Sequence, residues 1–459
     1  MKLQTIFKIT LSFILTSIIL YAQENNQKSL AVTVYNQNLG VVKDVRELDI
    51  SSGTSEIKLT DVAQFIDPTS VHIDINGEVL EQNFQYDLVS MDKILMKYID
   101  KNIQLVGETG EFIEGKLLSA NGFQIVLQKN DGGLLMLPSA GKYQISVGSL
   151  PEGLITRPTL IWMVNSKSSG KQDVEVSYQT SGMNWHAEYV VVLNEDDTKL
   201  DLNSWVSVEN TSGATYKNAK LKLVAGDVNL IQNNNYNQPQ YDRVYAAKSM
   251  QEVDQFNEKE FFEYHIYDLQ RKTTIANNET KQISLFEASD VSAKKKYFYG
   301  NSSSYYRESS QSGKVSVIVE FENSEANNLA KPMPKGKVRV YKSDGDALEF
   351  VGEDLIDHTP KKEKVKLKIG EAFDIVVEDI QTENKKITNK VYEQSYEVTI
   401  TNRKKEDIVI DVERMMGFNW EVLNSSIKFE KKDSQKILFK VPVKADAKTV
   451  LKYNVRYVQ

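Results

Sequence analysis

The 459-residue chain contains no cysteine. That absence removes disulfides, thiolate catalysis, zinc ribbons and iron–sulfur clusters together, so the fold must hold by core burial alone. Histidine is scarce, with four residues at positions 72, 186, 265 and 358. Long apolar runs are missing beyond residue 22; the longest, LIWMV at 160–164, is far too short to cross a bilayer. A basic stripe is missing as well. With 56 Lys and Arg against 63 Asp and Glu, the formal net charge is −7, which argues against nucleic acid as a partner.

What the chain does have begins at its first residues. Lys2 and Lys8 precede an apolar stretch, ITLSFILTSIIL at 9–20, and Ala22 offers a small residue before the polar run QENNQK. This is the pattern of a secretory signal peptide over residues 1–22, with an uncleaved anchor as the alternative because Leu20 is large for its position. No cysteine follows the apolar stretch, so acylation as a lipoprotein is excluded. Cleavage would remove Lys2 and Lys8 and move the charge from −7 to −9, leaving 437 of the 459 residues. An exported chain is expected, in the periplasm or at the cell surface. Its length suits three or four domains.

Period two dominates. QDVEVSYQT puts Val174, Val176 and Tyr178 on one face, SYEVTIT does so with Tyr396, Val398 and Ile400, and KILFKVPV with Ile437, Phe439, Val441 and Val443. Such alternation reads as half-buried antiparallel strand. NG at 76–77 and 121–122 and DG at 131–132 and 344–345 mark turns. MDKILMKYID at 91–100 allows one short helix. The expected class is all-β, built from several antiparallel modules that include immunoglobulin-like β-sandwiches and a small SH3-like barrel.

The organisation expected along the chain is an N-terminal β-module at 28–100, opened by a hairpin in VTVYNQNLGVVKDVREL. A small barrel at 101–150 follows, in which FIEGKL curves around its glycine, and LPEGLITRP then forms a linker. A central β-sandwich region spans 158–370, and an immunoglobulin-like sandwich occupies 371–459. Two polar stretches without period, 231–262 and 300–313, read as long loops.

GMNWHAEYVVVL at 182–193 most invites a functional reading. Odd positions give Trp185, Ala187, Tyr189, Val191 and Leu193, an apolar face; even positions begin with His186 and Glu188. Strand rise sets that pair about 7 Å apart, close enough to share a metal ion, but a zinc site needs a third protein ligand. The plainer reading is a solvated pair on the outer face, with Trp185 anchored in the core. GMNW recurs as GFNW at 417–420, so both read as Gly-Asn turns that deliver a tryptophan to a core. Glu195, Asp196 and Asp197 cluster in NEDDTKLD, but without the spacing and fixed glycine of a calcium loop they read as a solvated hairpin tip. SDGDALE at 343–349 reads as a turn, HTPKKE at 358–363 as a loop, and NTSG at 210–213 lacks the context of a nucleophile elbow.

The run YQTSGMNWHAEYVVVL…LNSWVSVENTSGATYKNAKLKLVAGDVN resembles the signature of an exported bacterial family, domain of unknown function 4139, related to proteins called mucoidy inhibitor A. VYNQNLGVVKDVREL, LPEGLITRPTLIWMV, VRVYKSDGDALEFVGEDLIDHTP and YEVTITNRKKEDIVIDVERMMGFNWEV extend the likeness over most of the chain. The mucoidy inhibitors carry a coiled-coil segment where this chain has the region 101–150, and the resemblance supplies no catalytic residues.

The expected role is therefore a non-enzymatic binding or assembly module of the cell envelope, with no cofactor. Its partner would be an envelope protein or polysaccharide. The alternative is a hydrolase or other enzyme acting on envelope polysaccharide or peptide, which would show two converging carboxylates or a His-carboxylate metal site. Aromatics on loops of a rigid scaffold often make contacts, so Tyr236, Tyr241, Tyr245, Tyr305 and Tyr306 are the expected partner-contact residues.

Overall fold

A computed structural model describes residues 26–458 apart from 123, 227, 229–254, 263, 302–309, 346 and 418. The chain is all-β, and its pairing is predominantly antiparallel.

An eight-stranded sheet begins with the expected hairpin. Gln27–Tyr35 and Leu39–Ile50 pair antiparallel across a turn that Asn38 makes at φ +56°. Tyr216–Ala225 lies parallel to the first of these strands and Gly170–Thr180 antiparallel to the second. One parity of each strand is buried: Leu30, Val32 and Val34, then Val42 and Ile50, then Val174, Val176 and Tyr178. A three-stranded sheet of Gly53–Thr60, Thr159–Ser166 and Glu78–Gln85 shares this core.

A thirteen-stranded sheet supplies the rest of that core and a second one. Two strands of 23 residues run through both. Glu279–Asn301 gives Ile283 and Val291 to the first core and Tyr297 and Tyr299 to the second. Lys364–Lys386 likewise gives Val365 and Leu367 to the first, Ile375 and Val377 to the second. Residues 102–146 form a separate five-stranded sheet with its own small core under the helix Met91–Lys97. Ser90 caps that helix, its Oγ accepting from the Lys93 amide.

Strands occupy the described parts of both stretches read as loops. Within 231–262, residues 231–254 lie outside the described residues, but Phe256–Phe261 is a strand paired with Tyr264–Leu269. Phe256 is buried and joins the first core, which a count of polar residues hides. Within 300–313, the strands at either end extend to Asn301 and back to Ser310. Tyr236, Tyr241, Tyr245, Tyr305 and Tyr306 all lie outside the described residues.

Three asparagines brace strand ends in the same way. Asn210, Asn323 and Asn402 are fully buried. Asn210 Nδ2 donates to the carbonyls of Ala214 and Ala276, and its Oδ1 accepts from the Ser212 amide. Asn323 donates to Lys331 and Pro360 and accepts from the Lys331 amide. Asn402 donates to Glu406 and Lys444 and accepts from the Lys404 amide. A buried loop leaves carbonyls without partners unless a side chain supplies donors, and asparagine carries two donors and an acceptor on a short stem. NTSG is thus a structural pin.

Candidate functional site

Parity holds along 182–193. Trp185, Ala187, Tyr189, Val191 and Leu193 are all buried. Trp185 donates from Nε1 to the Val224 carbonyl at 3.1 Å and meets Tyr267 edge-on. Gly182 turns at φ +81°, and a Cβ there would lie 2.9 Å from the Ser212 backbone, so the turn requires glycine. The echo at 417–420 is weaker. Gly417 keeps a negative φ with open space around its Cβ position. Trp420 is half-buried, bonded to the Ser434 carbonyl and covered by Lys431.

His186 and Glu188 sit side by side on the outer face, Nε2 to Oε1 3.5 Å. Glu188 also accepts from Gln282 at 2.9 Å and faces Arg339 at 3.7 Å. The His186 contact holds its carboxyl below the usual range against partial burial, with Arg339 adding to the effect. The other histidines are engaged elsewhere: His265 with Glu258, and His358 with Asn36 and the Lys335 amide, while His72 is exposed. Among the described residues, no three His, Asp or Glu side chains gather as a metal-ligand group.

Asp197 departs from the solvated hairpin tip that was expected. Its side chain is largely buried, at φ +57°, and is clamped by Lys295 and by Lys342 at 2.5 Å. The tip docks beside the strands that carry these lysines, in a charged cleft of about 880 Å³ that Asp407 and Lys440 also line. A second ion pair, Arg414 with Asp379 at 2.8 Å, lies inside the second core, with the guanidinium 5.3 Å from the Tyr299 ring centre.

The most developed site is one that sequence reasoning passed over. The inward parity of Leu39–Ile50 carries Val42, Asp44, Arg46, Leu48 and Ile50. Two charged residues thus stand where the face is otherwise apolar. Asp44 is 4% exposed. Its Oδ2 accepts from Arg46 Nε at 2.9 Å and Nη2 at 2.8 Å, and its Oδ1 from Gln27 Nε2 at 2.8 Å. Register explains the set: Asp44 lies between Leu30 and Val176, and Arg46 between Gln27 and Val174.

These side chains line a cavity of about 530 Å³, together with Leu30, Val62, Tyr178, Tyr216 and a rim of Asp61, Gln64, Arg157 and Lys217. Gly213 lets the 211–215 loop close on the rim: at φ +88°, any Cβ would fall 2.4 Å from Gln64 Cβ. The Gln64 amide then bonds the Ser212 carbonyl. Burial pushes the Tyr178 phenol well up, Tyr216 and Asp44 adding to the effect, and burial raises Tyr216 to about 12. Both hydroxyls are neutral near pH 7 and can donate or accept. At the rim Arg157 pairs with Asp61. LPEGLITRP, read as a linker, thereby supplies part of the wall. The signal in the sequence was VVKDVREL, whose core parity contains D and R two apart.

Fold and cavity define an all-β protein of several hydrogen-bonded sheets with a half-open cavity of mixed polar and apolar lining. Residues 174–457 match the family described as Domain of unknown function (DUF4139), and the chain belongs to that family. A search of curated proteins gives no match. Tyr178 and Tyr216 fall inside the matched stretch, while Gln27, Asp44, Arg46 and Gln64 precede it. No helix among the described residues is long and apolar enough to cross a membrane.

Proposed function

We propose that this protein is an exported, envelope-associated binding or assembly module. The observation that carries the reading is the cavity. Asp44 and Arg46 are engaged with each other, as are Asp61 and Arg157, and two neutral tyrosines complete the lining. Such a set can hold a ligand by hydrogen bonds; general acid–base work would need a group placed to exchange a proton. Export rests on the N-terminal pattern of residues 1–22. Tyr236, Tyr241, Tyr245, Tyr305 and Tyr306 belong to this proposal as partner contacts.

Cross-linking in intact cells, followed by fractionation and identification of the attached material, tests it. One envelope component recovered with the chain, and lost on deleting 231–254, supports the reading. Recovery of the chain in the cytoplasm, or turnover of purified envelope polysaccharide or peptide, overturns it.

A further inference from the structure

We infer that the cavity beside Asp44 and Arg46 binds an uncharged, hydroxyl-rich ligand of the saccharide class; this rests on the binding role proposed above.

Stability alone is a weak reason for the pair. Taking two charges out of water costs several kcal/mol per ion, and well-packed apolar residues of similar volume are commonly as stable or more so. Val42 and Leu48 occupy the flanking positions of the same face. The pair also lines the wall of a cavity.

The charge balance selects the ligand. At the floor Asp44 and Arg46 neutralise each other, and at the rim Asp61 and Arg157 do the same. A ligand bringing its own fixed charge would find no unmatched counter-charge at the floor and would lose hydration on entry. Lys217 lies at the exposed rim, where water screens it.

The donor and acceptor pattern selects further. An ionised carboxylate offers about four acceptor positions and a guanidinium five N–H groups. Arg46 spends Nε and Nη2 on Asp44, and Asp44 accepts these and one bond from Gln27. Unspent donors and acceptors therefore stand side by side. Gln64 at the rim adds both kinds, while the phenols of Tyr178 and Tyr216 bond each other and Tyr216 also meets Ser212, which fixes them as part of the wall. A hydroxyl donates and accepts at once, so vicinal hydroxyls match such a wall, while Leu30 and Val62 offer apolar surface to ring C–H groups. At about 530 Å³ the chamber lies in the range of small-ligand sites.

The test is calorimetric titration of the purified full chain with glucose, galactose, N-acetylglucosamine and cellobiose, against glucuronate and inorganic phosphate as charged probes. Saturable binding of at least one neutral sugar, tighter than either anion, is expected. Gln64→Ala, at an exposed rim position, should weaken it about three- to tenfold, the share of one hydrogen bond. The double variant Asp44→Val/Arg46→Leu, verified as folded, should abolish binding, while His186→Ala should leave it unchanged. No saturable neutral sugar, a preference for phosphate or glucuronate, or indifference to both cavity variants would each overturn the inference. A chain that cross-links to an envelope component yet binds none of these sugars overturns this inference and leaves the proposed function standing.

Discussion

Arg46 closes on Asp44 from two residues along the same strand, giving two N–H donors at 2.9 and 2.8 Å to one carboxylate oxygen inside an otherwise apolar face. Removing one partner strands the other. Arg46→Leu alone should cost about 3–5 kcal/mol, because it leaves the buried Asp44 carboxyl without its partner. Asp44→Val/Arg46→Leu should return to within about 1 kcal/mol of the parent or exceed it, since neither charge then needs solvation. Urea denaturation of the three proteins checks this. A double variant as unstable as the single one would mean that the pair holds the sheet together by itself.

Asn402 should be less replaceable than its size implies. Asn402→Ala removes the donor that satisfies the Glu406 and Lys444 carbonyls and the acceptor for the Lys404 amide, at a cost of about 2–3 kcal/mol. Asn402→Asp should be at least as damaging, because it turns the donating edge into an acceptor facing two carbonyls. Thermal melts at matched pH decide it; a loss below about 0.5 kcal/mol for both would show that water can replace the brace.

His186→Ala should behave as a surface change. Its ring is partly exposed, and among the described residues its ion-pair contact is Glu188 at 3.5 Å. A stability change within about 0.5 kcal/mol is expected. Metal content measured on the purified protein should be identical in parent and variant, and loss of a stoichiometric metal from the variant would refute the reading.

Acid should silence Asp197. Burial by itself raises its carboxyl, but the bonds from Lys295 and Lys342 outweigh that and hold it below the ordinary 3.8. A carboxyl whose folded value is depressed stabilises the fold above its unfolded value and loses that contribution as pH falls through the folded one. Asp197→Asn should therefore be clearly less stable than the parent at pH 7, with the gap narrowing once pH drops below about 4. Chemical denaturation across pH 3–7 reads it; a gap constant with pH would place the effect in packing instead of charge.

Much of the architecture was legible because strand burial is written in parity. Trp185 to Leu193 reads as core directly, and the hairpin at 32–48 and the helix at 91–97 follow from their local patterns. Parity failed where burial depends on something far away in sequence. Trp420 shares its motif with Trp185 but not its environment, because Gly417 lacks the tight turn that Ser212 imposes on Gly182. Asp197 looked solvated because its lysines are contributed from 98 and 145 positions further on.

The cavity shows the division most clearly. The sequence by itself determined that Asp44 and Arg46 share the inward face with Val42 and Leu48, since alternation along an extended strand leaves no other arrangement. It also determined the class of fold and, through its missing cysteines, that no disulfide assists it. Only the tertiary structure decided that this face meets Tyr178, Tyr216, Gln64 and Arg157 around one half-open cavity. Those residues arrive from four separate segments, and their meeting depends on sheet register and on one glycine at 213 whose conformation lets the loop close. Local pattern fixes which way a side chain points; what it points at is set by the packing of the whole chain.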